Sequence, residues 1–274
     1  MDTPLILVDD PAPKVRQITL NRPHKRNALN APLRRALLAQ VREHDLDADV
    51  SVTIIRGAGP SFCAGYDLQD QGDPDAARAY ASGGLGAFQR SVVEGWMSMW
   101  DLAKPVIAQV HGYCLAGGSE LATGCDLVYV AEDAKIGYPA VRFGTPDMQY
   151  HAWLLGLRKG MEQMLTGDAM SGVEAAEWGF ATRAFPGDEL EARVLAVAER
   201  IALIATDVVQ INKRTVHRAM QVMGLRASLM EGTELSALAI HTKGFQAFMA
   251  DRVGGLTEAL TKRDQPFGDY RTSH

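Results

Sequence analysis

A chain of 274 residues that is 47% hydrophobic buries a sizeable core in one domain, or in one domain with a helical extension, and is not a disordered chain. Its net charge of -5 and pI near 5.8 exclude a general nucleic-acid binder, which would carry a basic stripe. Three cysteines, Cys63, Cys114 and Cys125, form an odd set without CxxC spacing and indicate neither a disulfide framework nor a zinc site.

Residues 14–20 alternate as a strand, and Asn21-Arg22-Pro23-His24 breaks it with turn chemistry. Over 31–44, Leu33, Leu37, Leu38 and Val41 fall on one helical face, and 52–56 reads as a buried strand, which makes a βαβ-like unit. The polar, glycine-punctuated stretch 72–85 predicts a loop or frayed helix near a site; the Gly-x-Gly of Gly84 and Gly86 follows no strand and is a poor dinucleotide signal. A helix over 88–102, a strand over 106–110 started by Pro105, a helix over 117–123 and a strand over 126–130 come next. Alternating strands and helices predict an α/β fold with a mostly parallel sheet. Ser171-Gly172-Val173-Glu174 has capping-box spacing, and helices follow over 189–204, 208–223, 226–239 and 256–262. Their apolar stripes predict packing on the body or on another subunit.

Two segments carry candidate chemistry. Ser61-Phe62-Cys63-Ala64-Gly65-Tyr66-Asp67-Leu68 and His111-Gly112-Tyr113-Cys114-Leu115-Ala116-Gly117-Gly118-Ser119-Glu120 each place a small-residue turn after an apolar run. Such turns allow two backbone N–H groups to meet one carbonyl oxygen as an oxyanion hole, where losing one donor typically costs about 3 kcal/mol of barrier. Gly117 falls at a helix N-terminus, where unsatisfied N–H groups and the macrodipole favour negative charge.

These segments, together with Asn21-Arg22-Pro23, Arg26-Asn27-Ala28-Leu29-Asn30, Leu165-Thr166-Gly167, and Lys262-Arg263 with Pro266-Phe267, resemble the enoyl-CoA hydratase/isomerase (crotonase) family in order and approximate spacing over nearly the whole chain. The resemblance implies a crotonase-type ββα spiral core over 1–204 and a helical region over 205–274. That region would build a trimer, often paired into a hexamer, and complete the active site. The implied substrate is a coenzyme A thioester, with no tightly bound cofactor and no metal. The implied oxyanion donors are the N–H groups of Tyr66 and Gly117, with Glu120 as acid/base. Lys25, Arg26, Ala28, Ala64, Asp67, Leu68, Lys262 and Phe267 match the segments that contact coenzyme A.

The chain departs from the family where hydratases carry a second catalytic glutamate after Gly137-Tyr138-Pro139: this position is Ala140. Hydration needs a group to take the proton of water and a source of a proton for the α-carbon, a labour that two carboxylates divide. Asp147, Tyr138, Tyr150 and His151 are candidate substitutes, Asp147 the first among them chemically. The expected function is therefore an acyl-CoA enzyme that stabilises a thioester enolate, as a hydratase. The alternatives are a double-bond isomerase, another single-carboxylate member such as a decarboxylase or hydrolase, or a catalytically impaired acyl-CoA-binding relative. Residues 1–10 lack the features of a secretory signal, and no stretch approaches the roughly 18 apolar residues of a membrane span. A cytoplasmic protein engaging neither nucleic acid nor membrane is expected.

Overall fold

The computed structural model describes residues 3–69, 86–146, 150–268 and 270. The predicted loop over 72–85 and Asp147 lie outside these residues. Strands β1 (Ile6–Ala12), β2 (Val15–Leu20), β3 (Val52–Gly57), β4 (Val106–Val110), β6 (Leu127–Ala131) and β9 (Arg183–Phe185) form one sheet in the order β1-β2-β3-β4-β6-β9. Within this sheet β1 and β2 pair antiparallel, whereas Val15 pairs with Val52, Thr53 with Val106, Ile107 with Leu127 and Tyr129 with Arg183 in parallel. A parallel sheet is covered on both faces, which is why Val52, Thr53, Ile54 and Ile55 in succession are all buried.

Helix α1 (Ala31–Leu46) makes the crossover from β2 to β3, as the apolar spacing predicts. Its N-cap Asn30 accepts a hydrogen bond from the Leu33 N–H at 2.9 Å, and Leu33, Leu37 and Val41 are buried. Helix α2 (Ala87–Met97) ends earlier than the 88–102 pattern suggests, because its last turn tightens into a 3-10 helix over Ser98–Asp101. Strand β1 and the short strands escaped sequence reading: Ile6–Ala12 is mostly exposed and lacks alternation.

A second sheet is built from β5 (Tyr113–Leu115), β7 (Lys135–Gly137) and β8 (Met170–Ser171). Helix α3 (Gly117–Gly124) follows β5 directly. Helix α4 (Tyr150–Thr166) is broken at Gly156. Helix α5 (Gly172–Trp178) starts with the predicted capping box, in which the side chains of Ser171 and Glu174 reciprocally bond the backbone. Helix α6 (Leu190–Ala202) lies against the main sheet.

The C-terminal part is helical: α7 (Thr206–Val222), α8 (Leu225–Ala239), α9 (Lys243–Gly254) and α10 (Leu256–Asp264). Helix α8 packs on α2, and α9 packs on α10 and on the 3-10 turn Pro139–Phe143. The rings of Phe143 and Phe248 stack there at 4.2 Å. Among the described residues, no helix is long and apolar enough to cross a membrane.

Candidate active site

The two small-residue segments lie side by side. Phe62 N–H donates to His111 O at 2.8 Å, Cys63 N–H to Tyr113 O at 2.9 Å and Leu115 N–H to Cys63 O at 3.0 Å. Beyond this pairing the chains turn. Gly65 takes φ +99° and Ala116 takes φ 47°, a positive value that costs a residue with a Cβ and needs close support. A Cβ on Gly65 would lie 2.8 Å from Leu115 O and 3.5 Å from the Gly117 nitrogen, so the turns are in close approach. Gly118 packs so tightly on Cys63 that its own Cβ would meet the Cys63 carbonyl at 2.4 Å.

Gly117 is the first residue of α3, whose opening N–H groups have no acceptor within the helix. Tyr66 stands beside Leu29, yet the ladder bonds there run from Leu29 N–H to Gly65 O and from Asp67 N–H to Leu29 O. Among the described residues, no hydrogen bond runs from the Tyr66 or Gly117 N–H to a protein acceptor. Two main-chain donors are thus left over, one on each of two adjoining turns.

Glu120 lies in the first turn of α3 with 0% of its surface exposed. The Tyr66 hydroxyl donates to Glu120 Oε2, and the Tyr138 hydroxyl donates to Glu120 Oε1 at 2.7 Å. Trp96 Nε1–H donates in turn to the Tyr66 oxygen at 3.3 Å. The Tyr66 ring lies across Gly117, where a Cβ would come within 2.6 Å of its carbons. It meets Phe88 edge-on at 5.9 Å, with the Arg34 guanidinium 5.9 Å from its centroid. Burial, then the negative Glu120, raises the Tyr66 phenol well above its ordinary range, so it stays protonated and donates.

Of the candidate substitutes for the second carboxylate, Tyr138 is thus on Glu120 itself. His151 is fully buried, 5.8 Å edge-on from Tyr138 and stacked on Phe180 at 5.6 Å; Tyr150 is also buried. Ala140 is buried in an apolar cluster with Tyr138, Phe143, Phe248 and Ala259, against which Leu68 packs. The side chains of Tyr66 and Trp96 had no signal in the sequence: only folding brings them to Glu120, from positions 54 and 24 residues away along the chain.

The other predicted residues divide between main-chain and side-chain partners. Arg26 takes φ 48°, its carbonyl accepts from Ala64 N–H at 2.9 Å, and its guanidinium lies 5.1 Å from the Tyr113 ring centroid. Tyr113 donates to Tyr270 O at 2.9 Å, which draws the C-terminal segment towards the Arg26 loop. Ala28 O accepts from Arg22, and Lys25 donates to Gln69 Oε1. Asp67 pairs with Arg22 at 2.8 Å and accepts from Gln69 N–H. Burial alone would raise its carboxyl, but Arg22 and that N–H hold it below its ordinary value. Asp67 therefore fixes the turn. Lys262 pairs with Asp251 at 2.8 Å on the surface, and Phe267 lies under the Arg142 guanidinium at 3.8 Å. Cys63, Cys114 and Cys125 are free and buried; burial pushes the Cys63 thiol up to about 12, which leaves it unreactive. Among the described residues, no group of three or more His, Cys, Asp or Glu side chains could hold a metal ion.

Comparison with known proteins decides the family, because the model for enoyl-CoA hydratase/isomerase matches residues 12–269. The chain belongs to the enoyl-CoA hydratase/isomerase family. A curated relative from Rhizobium meliloti, named as a probable enoyl-CoA hydratase, is 34% identical over 246 residues, covering 87% of this chain and 93% of the relative. The crystal structure of an enoyl-CoA hydratase from Mycobacterium smegmatis superposes with a TM-score of 0.88 at 34% identity, covering 98% of this chain and 96% of that one. An enoyl-CoA hydratase/isomerase from Xanthobacter autotrophicus Py2 gives 0.85 at 33% identity, covering 97% and 99%. The α/β architecture with a helical C-terminal region is therefore the crotonase fold of the enoyl-CoA hydratase/isomerase family.

Proposed function

We propose that this member of the family is a hydratase-like acyl-CoA enzyme, which stabilises a thioester enolate and adds water to, or removes it from, a 2-enoyl-CoA. One observation carries the reading: a fully buried Glu120 carboxylate lies one helical turn from Gly117, beside two adjoining turns whose Tyr66 and Gly117 N–H groups have no protein acceptor among the described residues. Donors fixed before reaction stabilise charge as it develops on the thioester oxygen, and a carboxylate beside them moves the protons. The names of the similar proteins support the same reaction class. On this reading Lys25, Arg26 and Ala28, with Lys262 and Phe267 from the C-terminal segment, meet coenzyme A at its nucleotide end, and Ala64, Asp67 and Leu68 lie along the pantetheine. The enzyme works without a tightly bound cofactor, in the cytoplasm. Exposed apolar side chains on α7 and α8, among them Ile211, Val216, Leu235 and Leu238, support a trimer or hexamer built by the helical region.

A second reading within the family is a double-bond isomerase or another single-carboxylate enzyme, favoured by Ala140 in its apolar surroundings. Crotonyl-CoA hydration and deuterium exchange at the α-carbon of butyryl-CoA separate the two. Hydration that falls roughly 1,000-fold in Glu120→Gln, with acyl-CoA binding within a few-fold, supports the hydratase. Exchange without hydration supports the second reading. Acyl-CoA binding with neither reaction, unchanged in Glu120→Gln, would mark a binding protein and overturn both.

A further inference from the structure

We propose that the side-chain hydroxyl of Tyr66 is the second proton-transfer group of this site, passing a proton between the substrate α-carbon and Glu120. This inference rests on the acyl-CoA reading above. Hydration moves two protons, one off water and one onto the α-carbon, and Ala140 contributes no group to either transfer. The Tyr66 hydroxyl is bonded directly to Glu120 Oε2, and its ring lies across Gly117, alongside the pair of main-chain donors. Its main chain carries one of those donors, so the thioester carbonyl and the phenol would meet on one residue. The Tyr66 oxygen also accepts from Trp96 Nε1–H at 3.3 Å, and the Arg34 guanidinium lies over the ring. Both would stabilise the negative charge left when the proton departs. Tyr138 also donates to Glu120, but it is 2% exposed and packed among His151, Phe143 and Phe248, where it holds the carboxylate in place.

The step balances without any co-reactant. Glu120 accepts a proton from water as the water oxygen bonds the β-carbon. The double-bond electrons move to the α-carbon and the thioester oxygen. The Tyr66 O–H bond then breaks, its proton forms the new α-carbon C–H bond, and its electron pair stays on the phenol oxygen. The proton on Glu120 passes along their hydrogen bond to that oxygen and restores both residues, with one water added.

The test compares wild type, Tyr66→Phe and Tyr138→Phe in crotonyl-CoA hydration and in deuterium exchange at the α-carbon of butyryl-CoA. We expect Tyr66→Phe to lose about 100-fold or more in both, with KM for crotonyl-CoA within about threefold, and Tyr138→Phe to lose less than about tenfold. Exchange retained in Tyr66→Phe, or equal losses in the two variants, would overturn the proposal while leaving the acyl-CoA reading intact. Wild-type protein inactive in both assays would overturn the two together. Should Tyr66→Phe fail to fold, fluorotyrosine at position 66 makes the phenol more acidic at nearly unchanged size. A kcat altered by at least about threefold then supports the proposal, and an unaltered kcat overturns it.

Discussion

At Gly117 the backbone does not take the left-handed φ that calls for glycine; the need is spatial. An added methyl would meet the Tyr66 ring at 2.6 Å and push it off Glu120. Gly117→Ala should therefore fold, with a melting temperature within a few degrees of wild type, and lose about 100-fold in turnover. Steady-state kinetics beside a thermal melt check this, and unchanged turnover would show that the ring position does not matter. The cysteines near the site show the opposite economy: burial keeps Cys63 and Cys114 protonated, so they fill space at the paired turns instead of reacting.

Between elements, α1 docks on β3 through a buried histidine. His44 Nδ1 is 3.2 Å from Thr53 Oγ1, and the Gln40 amide nitrogen is 3.1 Å from Nε2, which makes Nε2 the acceptor and the ring neutral. Burial first, then Arg16, lowers its pKa from 6.5 to about 4. The unfolded chain takes up this proton near 6.5 and the folded chain only near 4, so the stability it contributes is complete above 6.5 and is lost as pH falls through that window. Denaturant unfolding followed from pH 7 to 4 should show this loss, on the order of 3 kcal/mol, and His44→Gln should flatten it. An unchanged pH slope in the variant would assign the acid sensitivity elsewhere.

At the scale of the whole molecule, a buried charged cluster joins helix α7 of the helical region to the body. Lys213 on α7 donates to the Met99 and Lys104 carbonyls at 2.8 and 2.9 Å and pairs with Asp126 at 2.9 Å. Asp126 also meets His217 at 2.7 Å, and His217 stacks on Trp100. Removing one partner of a buried pair leaves the others desolvated without compensation. Lys213→Ala should cost about 3 kcal/mol, with hydrogen exchange rising first in α7 and α8. A loss spread evenly over the chain, or none, would show that the joint does not hold the helical region to the body. Phe248 on α9 also stacks on Phe143, in the buried cluster that holds Tyr138 and Ala140.

Local pattern in the sequence was enough for the elements with strong periodicity. The spacing of Leu33, Leu37 and Val41, the apolar run at 52–55, the capping box at Ser171 and the small-residue turns before Glu120 each rest on interactions within a few residues, and each predicts its element. Strand β1 was not legible, because an exposed edge strand has no apolar alternation, and β5, β7, β8 and β9 are too short to show a period. The same division runs through the site. Glu120, Gly117 and the Tyr66 main chain lie on motifs that announce themselves, whereas the Tyr66 phenol, Trp96 and Tyr138 meet the carboxylate only because α2, α3 and the turn after β7 pack together. Sequence determined the local backbone through nearby sterics and hydrogen bonds; tertiary packing alone decided which distant side chains surround one buried charge, since desolvation acts on whatever the fold brings near.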